Sequence, residues 1–148
     1  MFFLGQFYHN LDEKGRLTIP SRFREALAVE GGYVLQGFDQ NLMVLTSTSF
    51  ESISRRVNQM SMADPKVRQL RRLLFANANQ IEIDRAGRML IPQVLRQGAG
   101  LVNEAVVVGM SDYFEIWSPD LWAQQMSQLN DSESNAQRFG EMEIFFSS

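Results

Sequence analysis

Apolar residues gather in short runs separated by polar, turn-forming clusters, and the runs switch between strand-like and helix-like spacing. Leu17-Thr-Ile19 and Met89-Leu-Ile91 read as short strands. Each is stopped by a proline, Pro20 or Pro92, which suits the first turn of a following helix. Helices are predicted over 21–28 and 93–98. Two β-rich segments follow in each case, 33–38 with 42–46 and 105–109 with 113–117. The loops Phe38-Asp-Gln-Asn41 and Met110-Ser-Asp-Tyr113 carry the turn formers. Further helices are expected over 48–60 and 118–129, the second opened by Ser118-Pro-Asp120. Between these segments, Asp64-Pro65 opens a helix to about residue 76. Its Val67, Leu70, Leu73 and Leu74 share one face, while Lys66, Arg68, Arg71 and Arg72 fill most of the rest.

The pattern is a duplication. Leu11-Asp-Glu-Lys-Gly-Arg-Leu-Thr-Ile-Pro20 reappears, 72 residues on, as Ile83-Asp-Arg-Ala-Gly-Arg-Met-Leu-Ile-Pro92. The same offset matches Arg24 with Arg96, Val34 with Val106 and Gly37 with Gly109. It also lays Leu42-Met-Val-Leu45 over Phe114-Glu-Ile-Trp117. The chain therefore divides into a first unit, 1–62, a basic connecting helix, 63–75, a second unit, 76–127, and an acidic, polar tail, 128–148. Alone, neither unit buries much core. Intertwined, two sets of short strands close a single pseudo-symmetric β-barrel and remove exposed edges. The expected class is α+β, mainly β, with peripheral helices. Residues after 130 read as loosely ordered, and Phe145-Phe146 as an element able to dock.

Composition removes several functions. With 45% hydrophobic and 11% aromatic residues among 148, the chain has the apolar surface to fold. It has no Cys, so disulfides, thiolate metal sites and Cys nucleophiles drop out, and a reducing cytoplasm suits it. The single His9 builds no multi-His metal site and has no nucleophile motif beside it. No phosphate-binding glycine fingerprint is present, so no cofactor, catalytic residue or metal ligand is assigned. Met1-Phe-Phe-Leu-Gly5 lacks the basic start and long apolar stretch of a signal peptide, and no run is long enough to span a bilayer. The formal net charge of −3 hides an asymmetry. Residues 1–75 carry ten Lys/Arg against seven Asp/Glu, and 76–148 carry four against ten.

The Asp-x-x-Gly-Arg turn is the candidate site. Asp12 and Asp84 suit turn starts that accept backbone amides, and Gly15 and Gly87 suit the left-handed position of a bulged hairpin. An arginine after the glycine could fold back on the aspartate as a local ion pair. The cations Lys14, Arg16, Arg85 and Arg88 also form two pseudo-symmetric basic turns. Arginine offers paired hydrogen bonds to guanine edges and phosphates, and lysine a point charge to phosphate. From the turn alone, hairpin chemistry and a DNA reader both stand.

These motifs, with Ile19-Pro20, Arg24-Glu25, Ala99-Gly-Leu101, Val107-Val-Gly109 and Phe114-Glu-Ile-Trp117, resemble the MraZ family of bacterial transcriptional regulators, built from two tandem AbrB-like domains. The resemblance covers about residues 1–127. It implies a swapped-hairpin β-barrel, a ring-like homo-oligomer, and a cytoplasmic, nucleoid-associated protein that binds repeated boxes in double-stranded promoter DNA. It further implies control, usually repression, of the division and cell-wall gene cluster including the regulator's own gene. By position, Lys14 and Arg16 face the DNA, with Arg88 and Arg85 as second-unit counterparts and Ala86 standing where the first unit has Lys14. Many copies of a weakly binding turn on one ring reconcile an acidic subunit with tight DNA binding.

Two other classes compete. One is an antitoxin-type interaction module whose acidic tail wraps a partner, although such modules usually carry one barrel unit. The other is a barrel enzyme, which the missing nucleophile, metal and cofactor motifs disfavour, leaving no small-molecule substrate or membrane partner to assign. Trp117, Trp122, Phe114, Ile116, Met60 and Met62 read as packing residues, and Arg71-Arg72 as a solvated or subunit-facing side.

Overall fold

Strand formation follows the apolar runs, but the strands pair mainly across the duplication. The computed structural model describes residues 2–144; Met1 and the Phe145-Phe146 pair lie outside the described residues. The chain divides into two compact units after Ser118.

The first unit holds strands β1 (Gln6–Asn10), β2 (Arg16–Thr18), β3 (Gly32–Gln36), β4 (Leu42–Thr46), β5 (Asn79–Gln80), β6 (Arg88–Leu90), β7 (Glu104–Gly109) and β8 (Phe114–Trp117). Its helices are α1 (Ser21–Glu30), α2 (Ser47–Asn58), α3 (Pro65–Phe75) and α4 (Gln93–Ala99). The fold is α+β. Six strands form one antiparallel sheet in the order β1-β7-β8-β4-β3-β5, and β2 pairs with β6 in a separate ribbon. First-repeat strands meet second-repeat strands at Tyr8↔Val106, Val44↔Phe114 and Leu17↔Met89. The halves are thus interleaved, as expected of units that bury little alone.

Both sheets face one core. Val34, Leu42, Val44, Val107, Phe114 and Ile116 meet Leu17, Ile19, Met89 and Ile91, with Phe23 of α1 and Leu95 of α4 between them. Phe23 is in ring contact with Phe3, Phe7 and Phe114 at centroid distances of 5.0, 5.4 and 5.0 Å. Strand period two sends Leu35, Met43 and Leu45 to the opposite face, where Val57 of α2 and Leu74 of α3 join them in a second cluster. Tyr33 stacks on Phe50 there at 4.2 Å. With both faces covered, β4 reads as a continuous apolar run.

Local signals set the helix starts. Thr46 Oγ1 accepts from the Ser49 amide at 3.3 Å ahead of α2, and Asp64 Oδ1 from the Lys66 amide at 2.9 Å ahead of α3. Pro20 and Pro92 stand at the N-caps of α1 and α4, which start at residues 21 and 93 as expected. One carboxyl, Glu115 on β8, is buried; desolvation raises its pKa, and its Oε1 accepts from Trp117 Nε1 at 2.9 Å.

The second unit contains α5 (Pro119–Gln128), α6 (Ser132–Phe139) and a 3-10 turn, Gly140–Met142. The polar stretch after 130, expected to be loosely ordered, is instead helical. Asp131 caps α6 by accepting from the Glu133 amide at 3.2 Å and from Ser134 Oγ at 2.7 Å. Asn135 and Arg138 donate back to the carbonyls of Leu129 and Gln128, at 2.9 and 3.2 Å. Among the described residues, no helix is long and apolar enough to cross a membrane.

Candidate nucleic-acid interface

Each Asp-x-x-Gly-Arg segment closes on its own aspartate. Asp12 Oδ1 accepts from the amides of Lys14 (3.0 Å) and Arg16 (2.8 Å), and its carbonyl accepts from Gly15 N at 3.0 Å. Asp84 repeats this with the amides of Ala86 (3.0 Å), Arg88 (2.9 Å) and Gly87 (3.0 Å). The glycines take positive φ, +84° at Gly15 and +79° at Gly87. The arginines then fold back. Arg16 Nε meets Asp12 Oδ2 at 2.6 Å, and Arg88 Nε meets Asp84 Oδ2 at 3.0 Å.

The two turns are cross-linked. Ile19 N donates to Gly87 O and Ile91 N to Gly15 O, both at 2.9 Å, and Arg88 Nη1 reaches Asp12 Oδ2 at 3.5 Å. Two residues whose place in the site went unread in the sequence complete the cross-link. Arg96 of α4 donates from Nη1 to Lys14 O (3.0 Å) and Ile91 O (2.8 Å), filling the space over Gly15 that a Cβ would need. Arg24 of α1 fills the same space over Gly87, with its Nε buried and unpaired. Each repeat's helix therefore props the other repeat's turn. The signal was present, since Arg24 and Arg96 match at the repeat offset, but nothing local assigns them a role.

These contacts separate the candidate cations into two kinds. Arg16 and Arg88 are about one-third exposed and held by carboxylates, so the fold-back reading describes their Nε groups. A guanidinium has five N–H donors, and one ion pair fixes its plane without consuming the rest. Lys14 and Arg85 are exposed at the turn tips. The Arg16 backbone N–H, and then its guanidinium, hold the Asp12 carboxyl below the usual carboxylate range, outweighing partial desolvation. Arg88 does the same for Asp84 through its backbone N–H and its charge. Among the described residues no group of three or more His, Cys, Asp or Glu is placed to hold a metal ion.

Fold and site together define a class: a tandem-repeat protein whose halves pair strands with each other and set two basic, aspartate-closed hairpin turns side by side. A family model described as "MraZ protein, putative antitoxin-like" matches the chain twice, over residues 2–73 and 74–142. A Thermomicrobium roseum protein named Transcriptional regulator MraZ is 46% identical over 137 residues, covering 92% of this chain and 96% of that relative. Proteins of the same name from Roseiflexus castenholzii and Finegoldia magna are 43% and 36% identical, covering 95% and 90% of this chain and 98% and 90% of their own lengths. The chain belongs to the MraZ family.

Proposed function

We propose that the chain is a sequence-specific DNA-binding transcription regulator that reads duplex DNA through its paired turns, Asp12–Arg16 and Asp84–Arg88. The observation that carries this is the cross-link between the turns. Arg88 spans from Asp84 to Asp12, so two guanidinium groups are held in fixed planes on one rigid ribbon. Pre-set guanidinium planes suit paired hydrogen bonds to guanine edges, while exposed Lys14 and Arg85 suit phosphate contacts that position the reader. The names of the relatives support the same reading.

The functional organisation that follows is two AbrB-like units, 1–62 and 76–127, joined by 63–75 and trailed by 128–148. The six-stranded sheet and the β2–β6 ribbon enclose the shared core as a swapped-hairpin barrel. Copies assemble as a homo-oligomeric ring, so that several turns engage repeated promoter boxes at once and tight binding comes from linkage. The protein is cytoplasmic and nucleoid-associated. It represses the division and cell-wall gene cluster that includes its own gene, and it catalyses no reaction. The test is anisotropy with its own upstream duplex against a scrambled one, and with one box against several. Preference for the native duplex, strengthened by added boxes, is expected. No preference from a folded protein would move the assignment to an antitoxin-type protein-binding module, and one box binding as tightly as several would refute the ring argument.

A further inference from the structure

Two surfaces of opposite charge expose apolar side chains that the turn site does not use. The first lies over the second cluster of the large unit. A groove of about 590 Å³ is lined by Phe38, Met43, Leu45, Ile53, Arg56 and Asp112, so its lining is apolar with one cation and one carboxylate, and Phe38 is 72% exposed. The helices that floor it, residues 47–76, carry Arg55, Arg56, Lys66, Arg68, Arg71 and Arg72 against Glu51 and Asp64, a local +4 in a chain of net −3, with Arg68, Arg71 and Arg72 lining a separate pocket beside Met62 and Phe75. The ion pairs found among the described residues lie in the turns and leave these cations without carboxylate partners. Two of them are nonetheless posed. Arg71 Nη1 donates to Asn58 Oδ1 at 2.6 Å with its guanidinium 5.8 Å from the Phe75 ring centre, and Arg68 Nη1 donates to Met62 O at 2.8 Å. This layer lies on the sheet face away from the core that β2 and β6 share, so it is not an extension of the turn site. A phosphate backbone needs the cations but not an apolar floor. An acidic segment with bulky apolar side chains needs both.

This chain carries such a segment. α6 buries none of its residues, and Phe139, Met142 and Ile144 are 41%, 61% and 68% exposed. Residues 131–144 hold Asp131, Glu133, Glu141 and Glu143 against Arg138 alone. We propose that the acidic, apolar segment 131–144 of one copy docks in the groove and on the basic α2–α3 face of a second copy. The inference rests on the homo-oligomer reading above and gives that oligomer its contact. The two surfaces differ, so the interface is heterologous, and repeating it closes a ring or extends a filament.

The test is the mass of the full chain by light scattering, across protein concentrations at fixed salt. Arg71→Glu/Arg72→Glu and Glu141→Lys/Glu143→Lys should each raise the concentration needed for assembly by about tenfold or more, since like charges then face each other. Combining the four reversals in one chain should restore assembly. Phe38→Ala, at an exposed position, should weaken assembly and leave thermal unfolding of the subunit unchanged. An oligomer that persists in all these variants overturns the proposal and leaves the homo-oligomer reading intact; a monomeric wild type overturns both. Reversal at Arg71 and Arg72 that lowers DNA affinity with mass unchanged makes the face a phosphate contact and refutes it.

Discussion

Replacing Gly15 by alanine tests whether one repeat's helix props the other repeat's turn. Two costs add. An L residue at φ +84° loses roughly 1–2 kcal/mol in the left-handed region. The new Cβ also collides with the Arg96 guanidinium, which donates to Lys14 O and Ile91 O. Hydrogen bonds from a charged donor contribute about 1.5–3 kcal/mol when shielded, and the exposed Lys14 contact lies below that. A total of roughly 2–4 kcal/mol is expected. Urea unfolding followed by Trp117 and Trp122 fluorescence measures it, at one protein concentration so that assembly does not shift the midpoint. Gly98→Ala is the control. It lies on α4 with open space where the methyl would go, and should stabilise by about 0.5–1 kcal/mol. The double variant Gly15→Ala/Arg96→Ala should cost less than the sum of its parts, because removing Arg96 removes the collision. Gly15→Ala within about 0.5 kcal/mol of wild type, or strict additivity, would refute the propping argument.

Three further outcomes follow from the same structure. Asp12 and Asp84 are held below the ordinary carboxylate range, so the stability they confer is present above it and is lost as pH falls through their lowered values. Asp12→Asn/Asp84→Asn should therefore flatten the acid limb of the stability profile, below about pH 4, and a limb as steep as wild type would count against the ion-paired turns. Phe23→Ala removes the ring that meets Phe3, Phe7 and Phe114 and should cost about 3–5 kcal/mol in the same urea assay; less than 1 kcal/mol would show that the cluster is not the core. Lys14→Ala should reduce the salt dependence of DNA binding by about one unit of log–log slope with unfolding unchanged, and an unaltered slope would remove Lys14 from the interface.

What the sequence discloses and what it conceals follow from contact range. Helix α3 is announced by Asp64-Pro65, because capping acts within a few residues, whereas the Thr46 cap of α2 emerges only in the structure, at the end of a strand segment. The turns are legible for the same reason, since the bonds each aspartate makes within its own turn span at most four residues. The fold-back of Arg16 and Arg88 is a local alternative that sequence could state but not choose. The donation from Arg96 to Lys14 crosses 82 residues, and no local pattern encodes it. Duplication makes interleaving expected, but neither the register Tyr8↔Val106 nor the two-residue strand β5 has a local signal in the sequence. The helical tail is concealed because its polar composition masks a helix set by one aspartate cap and two side-chain bonds back to the carbonyls of Gln128 and Leu129.

The measurement that bears most directly on the central claim is anisotropy of the protein's own upstream duplex, titrated with wild type and with Lys14→Ala/Arg16→Ala over several salt concentrations. The expected result is a marked preference of wild type over a scrambled duplex, lost in the variant while it stays folded with the same oligomeric mass, its midpoint lowered only by what the partly exposed Arg16–Asp12 pair contributes. A variant that keeps the preference would contradict the account and reduce the paired turns to hairpin chemistry.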